Sequence, residues 1–93
     1  MTAKPEQRKN FELSQSKSFE LILLNDDFHT FEFVIEKLVR HCKHSEEQAE
    51  QCALITHHKG ESSILMGEEE YIEEISGKLA FEGLIVDVRK VTV

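Results

Sequence analysis

One stretch of the chain, residues 21–38, joins a strand, a polar break and a helix. It reads LILLNDDFHTFEFVIEKL. The apolar run of strand type ends at Asn25, Asp26 and Asp27, whose side chains bond to nearby backbone N–H groups and so favour a turn over a continued ladder. An amphipathic helix follows directly. A doubly acidic break between two elements that build the core is where we expect the functional site.

The apolar pattern along the whole chain predicts six elements in the order β-α-α-β-α-β. Thr30 and Ser45 are typical N-cap residues for the first two helices. Gly60 and Gly83 are typical stops for the second and third helices. The pattern predicts an α+β domain, with three helices packed on one side of a small antiparallel three-stranded sheet. Strands are predicted for residues 19–24, 62–66 and 84–91, and helices for residues 31–42, 46–58 and 68–81.

The charge balance limits the partners of this chain. Lys and Arg total 11 against 18 Asp and Glu, which gives a formal net charge of −7. Such an excess repels a phosphate backbone, so nucleic acid is not an expected partner. A cationic partner surface or a positively charged ligand group suits it better.

The chain has no stretch of membrane-spanning type, and its N-terminus lacks the apolar segment of a signal peptide. We therefore expect no membrane association, and a soluble cytoplasmic protein with reduced thiols. Residues 1–17 are polar and show no sustained periodicity. They predict a flexible N-terminal arm ahead of a single folded domain, residues 18–93.

The acidic break itself has two interpretations. It is either a turn that caps the following helix or a cluster of hydrogen-bond acceptors. An ammonium group has three N–H donors and no acceptor, so binding one requires several acceptors aimed at a point. An Asn carbonyl, an Asp carboxylate and a neutral imidazole nitrogen would supply them. Composition alone leaves both interpretations open.

The His and Cys residues suggest a zinc site as an alternative, but their spacing contains no CxxC or HxxxH pair. Both Cys42 and Cys52 fall on apolar faces, where a free Cys behaves as a small hydrophobe. Nothing places either thiol in the electropositive, exposed setting that a nucleophile needs. We therefore expect no metal, no cofactor and no enzymatic activity. Metal analysis of the purified protein tests the zinc alternative, because one tightly held zinc per chain would support it. The residues concerned are His41, Cys42, His44, Cys52, His57 and His58.

The segment at residues 21–38, followed by SEEQAEQCALITHHKGES at residues 45–62, resembles the ClpS family. These proteins are adaptors that deliver N-end-rule substrates to Clp AAA+ unfoldases. The most specific parts are NDD after an apolar strand, the following E-F-V, and the H-x-x-G that ends the second helix. The resemblance implies an adaptor that binds proteins with a large hydrophobic N-terminal residue (an N-degron) and hands them to a ClpA- or ClpC-type unfoldase for degradation. It also implies that residues 18–93 form the ClpS-like domain and that residues 1–17 engage the unfoldase.

The resemblance further implies roles for individual residues. Asn25, Asp26 and His57 match positions that hold the α-amino group of the substrate. Asp27 matches a neighbour that holds the start of the peptide backbone. The positions that line the hydrophobic pocket are matched by Leu23, Phe31, Val34, Ala53, Thr56 and Leu84.

This chain departs from the family pattern inside the implied pocket. Phe31 and Ala53 replace Met, and Thr56 replaces Val. These substitutions motivate an alternative: a ClpS-fold interaction module that docks the unfoldase but has lost or altered the pocket for the N-terminal residue.

Overall fold

A computed structural model describes residues 18–91, and the predicted arm of residues 1–17 lies outside the described residues. The order β-α-α-β-α-β is the predicted one. Within residues 18–91, no helix is both long enough and apolar enough to cross a bilayer. The elements are β1 (Ser18–Leu24), α1 (Phe31–Cys42), α2 (Glu46–Lys59), β2 (Glu61–Glu68), α3 (Glu69–Phe81) and β3 (Val86–Lys90).

Capping side chains begin the first two helices where the sequence predicts. The Thr30 hydroxyl accepts the N–H of Phe33 at 3.1 Å, and the Ser45 hydroxyl accepts the N–H of Gln48 at 3.0 Å. Each bond satisfies one of the N–H groups that a helix N-terminus leaves without a partner. Gly60 ends α2 with a left-handed φ of 93°, and its N–H donates to the carbonyl of Thr56 at 2.8 Å.

Two Gly→Ala substitutions should change stability in opposite directions. A Cβ at Gly60 or at Gly77 would meet nothing within 4 Å. The change in stability therefore depends on the backbone conformation at each position. Gly60→Ala is expected to cost about 1 kcal/mol of unfolding free energy, because a left-handed φ strains an L-residue. Gly77→Ala, inside α3, is expected to stabilise by up to about 1 kcal/mol. Urea unfolding of both variants checks the signs, and destabilisation by Gly77→Ala would contradict the assigned helix.

The strands form one antiparallel sheet in the order β2-β1-β3. β1 is therefore central, and its residues Leu21, Ile22 and Leu23 are all buried. Leu21 and Leu23 are buried in the core cluster together with Leu38, Ile72 and Leu79 from the helices. Within residues 18–91, the predicted arrangement of three helices packed on one side of a three-stranded antiparallel sheet is confirmed.

A β-bulge in β2 changes which of its side chains face the core. Leu21 pairs with Leu65 but Ile22 pairs with Ser63, so Ile64 is the extra residue. Ser62 is buried before the bulge, Ile64 is buried at the bulge, and Leu65 packs against the same core after it. The bulge therefore keeps both halves of the strand in contact with the core, and it places Ser62 against α2.

The largest differences from the predicted strand boundaries lie at the end of β2 and at the start of β3. Gly67 was expected to end β2, but the strand continues to Glu68 because Gly67 pairs with Phe19 on β1. A Cβ at Gly67 would lie 3.3 Å from the Tyr71 ring, so the absence of a side chain allows close packing there. β3 begins at Val86 rather than at Leu84. The N–H of Leu84 donates to the carbonyl of Leu79 at 3.1 Å, which makes Leu84 part of the turn that ends α3.

Candidate binding site

The loop of residues 25–30 joins β1 to α1 and is held at its start by backbone hydrogen bonds. The N–H of Leu24 donates to the carbonyl of Ile85 at 2.9 Å, and the N–H of Asn25 donates to the carbonyl of Gly60 at 2.9 Å. His57 lies in the last turn of α2, just before Gly60. The bond to Gly60 therefore brings Asn25, at the end of β1, close to His57, at the end of α2.

The carboxylate of Asp26 stabilises the loop from within. Its Oδ1 accepts the N–H of Phe28 at 2.8 Å and the N–H of His29 at 2.9 Å. Desolvation raises the pKa of this carboxyl, but these two N–H donors and the His29 ring outweigh that effect and hold the pKa of Asp26 below its ordinary value. Asp26 is therefore ionised at neutral pH, and its second oxygen, Oδ2, keeps lone pairs for another donor.

A cavity of about 60 Å³ lies between this loop, α1, α2 and the end of α3. Nine of the ten predicted site residues line it. Their proximity is a finding, whereas their roles toward a substrate stay predictions. The lining residues are Leu23, Leu24, Asn25, Asp26, His29, Phe31, Val34, Ala53, Thr56, His57 and Leu84.

The cavity is polar at its exposed end and apolar at its buried end. Asn25 and His57 are exposed, whereas Leu23, Ala53 and Leu84 are buried in the protein interior. A mostly apolar recess with a few polar groups at one end is the usual form of a site that selects a small ligand group.

Two of the predicted acceptors accept no hydrogen bond from the residues that the structure describes. Among residues 18–91, the side-chain amide of Asn25 and the ring nitrogens of His57 have no hydrogen-bond partner. Together with Oδ2 of Asp26, they offer acceptor positions from two different elements. This arrangement is suited to an ammonium group, which brings donors only.

Phe31 stands at the entrance to the cavity. Its side chain is 37% exposed, and its ring centroid lies 5.9 Å from that of His57 at an interplanar angle of 86°. This edge-to-face contact links the first residue of α1 to the last turn of α2 across the opening. Movement of the Phe31 ring would therefore widen the entrance.

The hydroxyl of Thr56 is used inside the protein. It donates to the carbonyl of Cys52 at 2.8 Å and lies 2.9 Å from the hydroxyl of Ser62. Because Thr56 is buried and its hydroxyl has both of these partners, the replacement of Val by Thr leaves no unsatisfied hydroxyl in the cavity wall. The wall formed by Thr56 is therefore effectively apolar.

The structure places one predicted residue outside the cavity and adds two that the sequence did not indicate. Asp27 is exposed and does not line the cavity. Leu24 and His29 do line it. For His29, the sequence carried a usable signal, because an Asp followed three residues later by His allows a side-chain contact within one turn. Leu24 is the last residue of β1, and Leu23 was the only residue of this strand that was expected to line the cavity.

The surroundings of Cys42 and Cys52 favour the protonated form of both thiols. Burial, with a smaller contribution from Cys52, raises the pKa of the Cys42 thiol to about 11, and burial also raises the pKa of Cys52. Neither is a thiolate at neutral pH. His44 is buried, with Nε2 donating to the carbonyl of Ile64 at 2.7 Å. In the part of the chain that the structure describes, no group of three His, Cys, Asp or Glu side chains could hold a metal ion.

Fold and site together define a class of protein: a small α+β domain whose cavity pairs apolar walls with acceptors at the entrance. A family model described as "ATP-dependent Clp protease adaptor protein ClpS" matches residues 14–81. This range covers well over half of the chain, and the chain belongs to the ClpS family. Members of this family are adaptors of the Clp protease.

Curated relatives carry the same description. The chain is 45% identical over 49 residues to the ATP-dependent Clp protease adapter protein ClpS of Shewanella pealeana, covering 53% of this chain and 48% of the relative. It is 46% identical over 48 residues to the protein of that name from Campylobacter jejuni strain 81-176, covering 52% of this chain and 50% of that protein. It is 35% identical over 60 residues to ClpS 2 of Mesorhizobium japonicum, covering 64% of this chain and 59% of that protein. The chain thus spans about half the length of the curated relatives it matches.

A solved structure has the same fold. It is Agrobacterium tumefaciens ClpS2 bound to L-phenylalaninamide, with a TM-score of 0.71 and 22% sequence identity over 82% of this chain and 99% of that one. This similarity supports the element order and the antiparallel sheet.

Proposed function

We propose that this protein is a non-enzymatic adaptor that binds substrate proteins through a large hydrophobic N-terminal residue and delivers them to a Clp AAA+ unfoldase. One observation carries the proposal. The three predicted acceptor residues and the six residues predicted to form the hydrophobic pocket come from separate elements, and all nine line a single cavity. The family resemblance alone supplied the names of these residues, and the cavity is an independent reason to group them.

The two ends of the cavity match the two ends of an N-terminal residue. The α-ammonium would donate to Asn25, Asp26 and His57, and the ionised carboxylate of Asp26 would balance its charge. The side chain would enter the apolar end and displace water from Leu23 and Leu84. An acetylated N-terminus lacks the charge and two of the donors, so it would leave these acceptors unsatisfied and bind poorly.

The bound neighbour agrees with this chemistry. The ligand of the Agrobacterium tumefaciens ClpS2 structure, L-phenylalaninamide, combines a free amine with an aromatic side chain. In this chain the cavity of about 60 Å³ is smaller than the roughly 150 Å³ that accommodates benzene in an engineered protein core. We therefore expect the half-exposed Phe31 to rotate outward when an aromatic side chain enters.

The partner would be a ClpA- or ClpC-type unfoldase, with the arm of residues 1–17 making contact with it. Neither a metal nor a cofactor has a part in this function, and neither nucleic acid nor a membrane is an expected partner. The site of action would be the cytoplasm. The acidic net charge of −7 suits a cationic docking surface on the unfoldase.

Fluorescence anisotropy with three labelled peptides of one sequence tests the proposal. The peptides differ only in their first residue: free Phe, acetylated Phe, or Ser. Binding of the free-Phe peptide alone is expected. Equal binding or no binding of all three would overturn the proposal and favour the alternative, an interaction module without a pocket for the N-terminal residue.

A further inference from the structure

His29 is the cavity residue that the family resemblance did not assign, and its ring is held from several sides. It stacks on the Phe33 ring with a centroid distance of 4.4 Å and an interplanar angle of 13°. The Phe28 ring meets it edge-on at 5.4 Å. The side chain is only 18% exposed. Such packing leaves the imidazole little rotational freedom.

The end of α3 confines the ring from a third direction. A Cβ at Gly83 would lie 3.2 Å from Nε2 of His29 and 3.3 Å from Cε1. Gly83 has a left-handed φ of 100°, so a glycine suits this position for its backbone as well as for its lack of a side chain. The backbone after α3 therefore lies directly against the imidazole.

Both oxygens of the Asp26 carboxylate face His29. Oδ1 accepts the backbone N–H of His29 at 2.9 Å, and Oδ2 lies 3.3 Å from Nδ1 of its ring. The backbone bonds alone would fix Oδ1 and leave the plane of the carboxylate free to turn. Among residues 18–91, the His29 ring is the hydrogen-bond partner of Oδ2, so this contact restrains that oxygen. The remaining lone pairs of Oδ2 can accept another donor.

We propose that His29 is a positioning residue, which orients the Asp26 carboxylate so that Oδ2 is directed to a ligand ammonium in the cavity. This inference rests on the proposed function for its ligand, but the orientation of Asp26 can be measured without one. A polar group at a binding site is most effective when a packed neighbour fixes its rotamer before the ligand arrives.

Two substitutions separate the hydrogen bond from the packing. His29→Asn keeps an N–H donor close to the position of Nδ1 but loses the ring that stacks on Phe33. His29→Phe keeps a stacked ring but has no donor. A purely structural role would make His29→Phe the milder change, whereas a positioning role makes His29→Asn the milder one.

The first measurement is a carbon-13 NMR titration of the Asp26 carboxyl, which needs no ligand. In His29→Phe the pKa of Asp26 is expected to rise toward its ordinary value, because one of the groups that stabilise the carboxylate has gone. In His29→Asn the pKa is expected to stay close to that of the wild type. An unchanged titration in both variants would overturn the proposal.

The second measurement is anisotropy with the free-Phe peptide. His29→Phe is expected to weaken binding about tenfold and His29→Asn less than about threefold. The reverse order would show that stacking matters and would overturn the positioning role. A wild-type protein that binds no peptide would overturn the proposed function instead, and the titration would still decide whether His29 orients Asp26.

Discussion

The double substitution Asp26→Asn with His57→Ala is expected to lower affinity for a free-Phe peptide by at least about 100-fold. Each hydrogen bond between a charged group and its partner contributes about 1.5–3 kcal/mol, and the variant removes two such contacts with the ammonium. Asn at position 26 keeps an oxygen for the N–H groups of Phe28 and His29, so the loop should persist. Anisotropy measures the affinity, and thermal unfolding measures the fold.

A matched control separates loss of the site from loss of charge. Glu50→Gln with His58→Ala makes the same kinds of change at exposed positions of α2 that do not line the cavity. Its affinity is expected to stay within about twofold of the wild type, because exposed substitutions away from a site have small effects. The melting temperatures of both variants should stay within about 5 °C of the wild type. A collapse of the melting temperature in the Asp26 and His57 variant would assign that pair a structural role.

Leu38→Ala is expected to cause the largest loss of stability, about 3 kcal/mol. Leu38 is 0% exposed and lies in the core cluster between α1 and the sheet. Its truncation removes buried apolar contacts and leaves a cavity that the packed neighbours fill only in part. For a domain of this size, the melting temperature should fall by more than about 10 °C. Calorimetry or circular dichroism measures the change.

The neighbouring residue on α1 provides the control. Val39 is 38% exposed, so Val39→Ala removes little buried area and should cost less than about 1 kcal/mol. Similar losses for Leu38→Ala and Val39→Ala would contradict the assigned face of the helix.

Much of the fold was predictable because its signals are local. Thr30 and Ser45 cap the helices that follow them, and Gly60 ends α2 with a left-handed φ. These features depend on residues within one helical turn, which the sequence displays directly. Gly67 and Leu84 were assigned wrongly because their states depend on distant partners. Gly67 belongs to a strand through its pairing with Phe19, and Leu84 is held by Leu79.

The site was predictable in its residues but not in its detailed chemistry. The sequence, through its family resemblance, indicated nine residues that the structure brings to one cavity. It did not indicate that the Thr56 hydroxyl bonds to Cys52 and Ser62, or that His29 contacts both oxygens of Asp26. The Thr56–Ser62 contact depends on how β2 packs against α2, and the orientation of the His29 ring depends on Phe33 and on the backbone at Gly83, which lies far along the chain.

The sequence by itself thus determined the order of elements, the helix ends and the acidic break, since periodicity and capping act over a few residues. Only the tertiary structure decided the central position of β1, the bulge at Ile64 and the bond between Asn25 and Gly60. These depend on contacts between residues far apart in the chain. The cavity exists because such contacts bring the end of β1 and the end of α2 together.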